Sequence, residues 1–341
     1  MKLGIIGLPR AGKSTLFDAL TKNISGTEKQ GEDRIATVQV PDERVAALSR
    51  MFKPQKTTCA RVEYFLPGLK KERPGDAGLW NSVRDCDALL HVIRHHAAYG
   101  FEKPAPADDF IRLDQELILA DLAVAEKRLE RIEMDHKRGK KMDSEEHALL
   151  TACRQCLESE VPLRKRSDLA SAPELRGFAF LSAKPVLVLF NNEDDDDRMP
   201  AIKDLTDSEA CQVVRGKLEQ ELAQMPPEEA AEFLTEFNIP ASAMDRVIRQ
   251  SYRLLNLISF FTIISDEVRA WTLKKGTPAL EAAGVIHSDM KKGFIRAEVV
   301  SYRDLMDAGS YAEAKKRGTV RLEGKDYEVQ DGDIVQFRFN I

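Results

Sequence analysis

Cysteine is sparse and odd in number: Cys59, Cys86, Cys153, Cys156 and Cys211 lie scattered through 341 residues. That usage argues against a disulfide framework and for reduced thiols. No apolar run approaches the roughly 20 residues that span a bilayer. Met1-Lys2-Leu3 enters a strand-like run without a signal-peptide layout, so a cytoplasmic protein with no membrane partner is expected. Charge of one sign is also lacking. A net charge of -5 gives no global pull toward nucleic acid, so DNA is not expected as a partner and any RNA contact must come from local basic patches. What remains, 43% hydrophobic and 31% charged residues, is ordinary globular composition, and the length suits two or three domains.

The most informative stretch comes first in the chain. Gly7-Leu8-Pro9-Arg10-Ala11-Gly12-Lys13-Ser14 fits G-x-x-x-x-G-K-[ST] and directly follows the apolar run Leu3-Gly4-Ile5-Ile6. Strand, loop and helix therefore come in the order a phosphate-binding loop requires. Glycines let backbone N–H groups wrap phosphate oxygens where a Cβ would intrude. Lys13 adds a point charge for the outer phosphates, Ser14 a hydroxyl for Mg²⁺, and the helix opening near Gly12 the positive end of its dipole. Pro9, Arg10, Ala11, Gly12, Lys13, Ser14 and Thr15 are the expected phosphate contacts, with Lys13 catalytic and Ser14 the metal ligand.

Strand-like runs at Leu3 to Ile6, Arg61 to Leu66, Ala88 to Ile93 and Ala183 to Phe190 alternate with helical segments, a βα pattern for a mostly parallel sheet. About ninety residues separate the last two. Leu113, Leu117, Leu119, Leu122, Leu129 and Ile132 recur near helical spacing within that insert, and Lys137-Arg138-Gly139-Lys140-Lys141 breaks the pattern, so two antiparallel helices are expected, either projecting as a coiled-coil arm or packed flat. Cys153-Arg154-Gln155-Cys156 falls in this helical stretch without a second pair or a metal-spaced histidine, which favours a packing role. Further helices are expected from Lys217 to about Leu255, broken at Pro226-Pro227 and Pro240. Short strands at Phe260 to Ile264, Gly293 to Val299, Thr319 to Leu322 and Ile334 to Phe339 then suggest a small α+β domain.

These features resemble the Obg-like ATPase (YchF) family. The resemblance rests on the loop above, on Glu116-Leu117-Ile118-Leu119-Ala120-Asp121-Leu122 in the insert, and most specifically on Ala282-Ala283-Gly284-Val285-Ile286-His287-Ser288-Asp289, Lys292-Gly293-Phe294-Ile295-Arg296-Ala297-Glu298-Val299 and Glu323-Gly324-Lys325-Asp326-Tyr327. It covers nearly the whole chain. It implies an α/β fold: a Ras-like P-loop nucleotide domain in two parts (residues 1–108 and 177–255), an inserted antiparallel helical arm (109–176) and a C-terminal α+β ubiquitin-like TGS domain (256–341). It also implies Mg²⁺ with ATP or GTP, and a partner in the ribosome or RNA reached through the arm and the TGS-like domain.

Four departures from the family pattern bear on mechanism. Where the family has D-x-A-G, this chain reads Phe65-Leu66-Pro67-Gly68, so Gly68 is kept to meet the γ-phosphate but the metal-supporting carboxylate is not; Glu63, two residues earlier on the same strand face, is a candidate substitute from further back. Leu69 follows, where Ras-like hydrolases often carry a water-orienting Gln, though the family is apolar here too. The loop from Leu20 to Val40 is short and lacks the family's Pro-Phe-x-Thr, leaving Thr27 and Thr37 as the best-placed threonines there. The base-reading loop is Asn191-Asn192-Glu193-Asp194, where Asp194 suits guanine but Asn192 replaces the usual Lys, and both ATP and GTP stay open. A phosphate cradle with weakened metal and switch elements predicts a slow nucleotidase. The alternative is a degenerate ribosome or RNA interaction module indifferent to nucleotide. Lys127, Arg128, Arg131, Lys137, Arg138, Lys140 and Lys141 give the insert a cationic tip, and Lys291, Lys292, Lys315, Lys316 and Arg317 a second patch, each readable as a phosphate footprint or as solvated helix surface. His287 is expected to be structural.

Overall fold

The apolar run after Met1 forms a short strand, β1 (Lys2–Ile6), whose last four residues are buried. In the computed structural model, residues 1–22, 31–68, 77–97, 103–237, 239, 242–264 and 266–340 are described, without the side chains of 77–79 and 227. They divide into two units: Met1–Thr37 with Glu63–Val247, and Val38–Val62 with Ile248–Ile341.

In the first unit, β1 leads through the glycine loop into helix α1 (Lys13–Thr21). Strands β2 (Arg34–Gln39), β4 (Arg61–Leu66), β5 (Ala88–Arg94), β6 (Val186–Asn191) and β7 (Ala210–Val214) complete a sheet in the order β2-β4-β1-β5-β6-β7. β4, β1, β5, β6 and β7 run parallel. A parallel sheet covered on both faces needs near-continuous apolar strands, and all six residues of β6 are buried. Gly4 is small for a packing reason: a Cβ there would lie 3.1 Å from Cys86 Sγ and 3.2 Å from Val83, where helix α3 (Ala77–Val83) meets the sheet.

The insert between β5 and β6 is the expected pair of helices, α4 (Pro106–Lys137) and α5 (Ser144–Glu158), with α2 (Glu43–Phe52) belonging to the other unit. Pro106 starts α4, Asp108 and Asp109 sit in its first turn, and Asp143 caps α5 by accepting from the Glu145 and Glu146 N–H groups. Gly139, at φ 84°, turns the chain between them. Leu129 and Ile132 of α4 pack with Leu150, Cys153 and Leu157 of α5. Both cysteines of the C-x-x-C are buried there, and burial pushes the Cys153 thiol up to about 12, so it is an inert packing group. At the base of the insert Asp121 is fully buried and takes N–H groups from Leu181 and Ser182 and the Arg84 guanidinium. Arg164 similarly joins Asp114 of α4 to Glu209.

The second unit holds a sheet in the order β11-β10-β12-β8-β9-β3, made of β3 (Lys56–Thr58), β8 (Leu257–Ile264), β9 (Glu267–Lys274), β10 (Phe294–Ser301), β11 (Arg321–Glu323) and β12 (Asp333–Phe339). β8 pairs antiparallel with β9 and parallel with β12, and β10 lies antiparallel to β12. Helix Ala279–Ile286 lays Ala279, Ala282 and Ala283 against Phe260, Val299 and Phe337. This is the ubiquitin-like arrangement. One addition comes from far upstream: β3 extends the sheet beyond β9, and Arg44 of α2 is forked between Asp42 and Asp331 while stacking 5.2 Å from the Phe261 ring centroid. His287 accepts the Asp289 N–H at the start of helix Ser288–Lys292. No helix among the described residues is long and apolar enough to cross a membrane.

Candidate nucleotide site

The loop after β1 bends where only glycine fits. Gly7 has φ 152°, and a Cβ on it would lie 2.3 Å from the Val92 carbonyl oxygen; Gly12 has φ 95°, and a Cβ there would lie 2.2 Å from Asn191 Nδ2. Gly12 is also the residue before α1 and offers no side-chain cap, so the first N–H groups of that helix point toward the loop's concavity, ready for an anion. Pro9, Arg10 and Ser14 are exposed, Ala11 is buried, and Thr15 is half-buried.

Lys13 folds back over this cradle and donates from Nζ to the Gly7 and Leu8 carbonyl oxygens, each at 2.9 Å. Burial draws its ammonium down to about 8, which marks a charge held in a desolvated place and awaiting an anionic partner. Ser14 faces solvent on the first turn of α1, so its hydroxyl can meet a Mg²⁺ arriving with the phosphates, a hard cation that takes oxygen ligands and keeps water.

The pairing register fixes the other edge of the site. Lys2 lies opposite Glu63 and Gly4 opposite Phe65, so Gly68 falls level with Gly7, at the carboxyl ends of the strands where such sheets bind ligands. Phe65 is 4% exposed and packs with Ile6, Trp80 and Val83. Glu63 sits in the first half of β4, opposite Lys2, about 16 Å from the level of the loop by strand rise. It is therefore no substitute for the missing carboxylate. Of the two candidate threonines, Thr37 is exposed on edge strand β2; Thr27 and Leu69 fall outside the described residues.

The residues expected to read the base are engaged within the protein. Asn191 is buried; its Nδ2 donates to the Ala11 carbonyl at 3.0 Å and its Oδ1 accepts the Gly216 N–H at 2.9 Å. This one amide locks the phosphate loop to the turn after β7. Asn192, also buried, donates to the Arg198 carbonyl and lies 2.9 Å from His95 Nδ1. Asp194 is exposed, and its Oδ1 accepts the Leu218 N–H at the start of helix Gly216–Gln224. The sequence motif did not disclose that Asn191 positions the loop, since that role depends on contacts with residues 11 and 216.

Of the basic residues, Arg128 pairs with Glu146 and Lys140 with Asp135, while Arg131, Lys137, Arg138 and Lys141 are exposed around the turn between α4 and α5. The second patch is largely neutralised at short range: Lys291 meets Glu281 and Arg317 meets Glu313.

A glycine-pinned loop at the carboxyl edge of a parallel sheet, closing onto a helix whose first turn is open, makes this a Ras-like P-loop α/β protein with a ubiquitin-like second unit. Comparison with known proteins narrows the class. The chain is 38% identical over 363 residues to the Ribosome-binding ATPase YchF of Bacillus subtilis (strain 168), covering 99% of each. It is 37% identical to the protein of the same name from Escherichia coli O157:H7, covering 100% of this chain and 99% of that one. The chain belongs to the YchF family. The family model YchF-GTPase_C, described as "Protein of unknown function (DUF933)", matches residues 257–340. The structure of the Schizosaccharomyces pombe YchF GTPase superposes with a TM-score of 0.85 at 30% identity, covering 99% of this chain and 97% of that one.

Proposed function

We propose that this protein binds a nucleoside triphosphate with Mg²⁺ in the Gly7–Ser14 loop, hydrolyses it slowly, and does so in association with the ribosome in the cytoplasm. The observation that carries the nucleotide reading is the cradle itself: a capless helix start, two glycines fixed by sterics, and a desolvated Lys13 ammonium whose hydrogen-bond partners among the described residues are backbone carbonyls. Pro9 to Thr15 contact the phosphates, Ser14 reaches the metal, and Lys13 and Gly68 contact the transferring phosphoryl group. When bound, Mg²⁺ neutralises charge on the phosphates. Lys13 does the same from the other side, and Gly68 supplies a backbone donor. No carboxylate stands at position 65 to orient the metal, so hydrolysis is slow while phosphate affinity is kept.

Asn191 and Asn192 line the base side chiefly by shaping it, and Asp194 is the residue of the three with an exposed carboxylate to offer a base. The B. subtilis relative is named an ATPase and the S. pombe structure is titled a GTPase, so both bases enter the test. Lys13→Ala is expected to weaken a non-hydrolysable ATP or GTP analogue about 100-fold or more in calorimetric titration, with the thermal midpoint within a few degrees of the parent. Bound phosphate raises the lysine above its free value of about 8, so binding takes up a proton and affinity falls as pH rises through 8. Unchanged affinity in the variant would take Lys13 and its loop out of the binding site, and absence of binding by the parent would leave a nucleotide-independent interaction module.

The ribosome reading follows the relatives' printed names and the exposed cations at the tip of the 109–176 arm, with the 256–341 TGS-like domain as second contact. Charge reversal at Arg131, Lys137, Arg138 and Lys141 is expected to lower cosedimentation with ribosomes at least about tenfold, with a shallower salt dependence. Unaltered cosedimentation would move the footprint elsewhere.

A further inference from the structure

Gly68 is one of the donors at the rim of the cradle, and in this structure its N–H already has an anionic acceptor. It donates to Asp33 Oδ1 at 2.8 Å. The backbone entering β2 is pressed against it: a Cβ on Gly68 would lie 2.3 Å from the Gly31 carbonyl oxygen and 2.5 Å from the Glu32 carbonyl carbon. The next residue fixes the segment from the other side. Arg34 pairs with Asp18 of α1 at 2.6 Å, and its guanidinium lies 4.5 Å from the Phe17 ring centroid. Asp33 itself is exposed, so no packing demand explains a carboxylate at this place.

We propose that Asp33 sets the discrimination between nucleoside triphosphates and diphosphates, its carboxylate occupying the Gly68 N–H that a terminal phosphate oxygen would take. The inference rests on the nucleotide reading above. Three observations lead to it. β1 and β4 are parallel neighbours paired through Gly4 and Phe65, so Gly68 follows the carboxyl end of the strand beside the one that feeds the phosphate loop. An anion extending past Lys13 therefore reaches the Gly68 donor. A carboxylate oxygen is the side-chain group closest in charge and geometry to a phosphate oxygen. Finally, a diphosphate leaves the outermost position empty and has no need to displace Asp33, whereas a triphosphate must break this contact and bring its own negative charge beside the carboxylate. Asp33 thus weakens triphosphate binding selectively, and release of the Gly31–Arg34 backbone from Gly68 accompanies triphosphate binding.

The test is titration of the full chain with ADP and a non-hydrolysable ATP analogue, and with the guanine pair, comparing parent, Asp33→Asn and Asp33→Ala. Asn keeps an acceptor oxygen without charge; Ala removes both. Affinity for the triphosphate analogue is expected to rise on the order of tenfold in Asp33→Ala, the size of competition from one charge-assisted hydrogen bond, with an intermediate gain in Asp33→Asn and no change for the diphosphate. Because Asp33 is exposed, both variants should keep the parent's thermal transition. Equal triphosphate-to-diphosphate ratios in all three proteins, or triphosphate binding weakened by Asp33→Ala, overturns the role of Asp33 while leaving the nucleotide site standing. Failure of the parent to bind any of the four ligands overturns the nucleotide reading and this one with it.

Discussion

Phe65→Asp is expected to unfold the nucleotide-binding unit rather than to restore a metal-supporting carboxylate. Phe65 is 4% exposed and shares a cluster with Ile6, Trp80, Val83, Cys86 and Leu89. Truncating a buried phenylalanine alone costs about 3–5 kcal/mol. An aspartate there would also have to be buried, costing several kcal/mol more or ionising only at elevated pH. Lys2 Nζ, 5.1 Å from the ring centroid, offsets part of that. Against a domain stability of about 5–15 kcal/mol, the sum removes most or all of it. Thermal unfolding of Phe65→Asp beside Phe65→Leu checks this: the leucine variant should retain a cooperative transition at modestly lower temperature and the aspartate variant should lose it. A parent-like transition in Phe65→Asp would show that position 65 tolerates a charge.

The same packing leaves the sheet beside the candidate site with few supports for a metal. Position 65 is committed to the face where α3 covers the sheet, and Glu63 is committed by register to a place opposite Lys2, well back from the loop. Neither can supply the metal from the sheet. What the chain keeps is the part of the site that depends on backbone shape, and backbone shape is fixed by Gly7, Gly12 and the Asn191 amide.

Much of this was written in local sequence. The loop pattern, the continuous apolar strands β1 and β5, the heptad-like leucines of α4 and the turn at Gly139 carry signals that neighbours in sequence can generate. β6 begins later than its apolar run suggests, at Val186 after Pro185, and extends through Asn191. Strands whose partners lie far away stayed unread. β2 alternates in burial along its length, but Ile35 is 58% exposed on that edge strand, so no apolar stripe marks it. β7 is short and mostly half-buried, and β3 has three residues, none buried. In β9, Val268 and Ala270 are buried on one face and Leu273 on the other, so no single apolar stripe marks it. The grouping of Val38–Val62 with the C-terminal segment, the bridging role of Asn191 and the grip of Asp33 on Gly68 all depend on pairs separated by tens to hundreds of residues. Periodicity has no access to such pairs.

Acidification should cost this protein stability well before its carboxylates titrate, through His91. This histidine lies mid-sheet on β5, opposite Ile6 on one side and Val188 on the other, 3% exposed and stacked 5.4 Å from the Phe110 ring. Its Nε2 has no hydrogen-bond partner among the described residues. Burial, reinforced by the positive charges of Arg164 and Lys13, pulls it from 6.5 down to about 3. The folded state therefore keeps His91 neutral while the unfolded chain binds a proton below pH 6.5. The unfolded state is favoured by protonation, so the His91 contribution is fully present above pH 6.5 and is lost as pH falls from there toward 3, at up to about 1.4 kcal/mol per pH unit and at most about 5 kcal/mol in all. His91→Leu is close in volume, has no titratable ring and leaves no orphaned nitrogen. Unfolding free energies of parent and variant between pH 7.5 and 4.5 should diverge steadily, the leucine protein losing less stability on acidification. At pH 7.5 the variant should be no less stable than the parent, since a partnerless buried nitrogen is itself a cost. Carboxylates common to both proteins cancel in that difference. Parallel pH profiles would mean that His91 is protonated or solvated in the folded state, and that the sheet beneath the phosphate loop is wetter than its packing indicates.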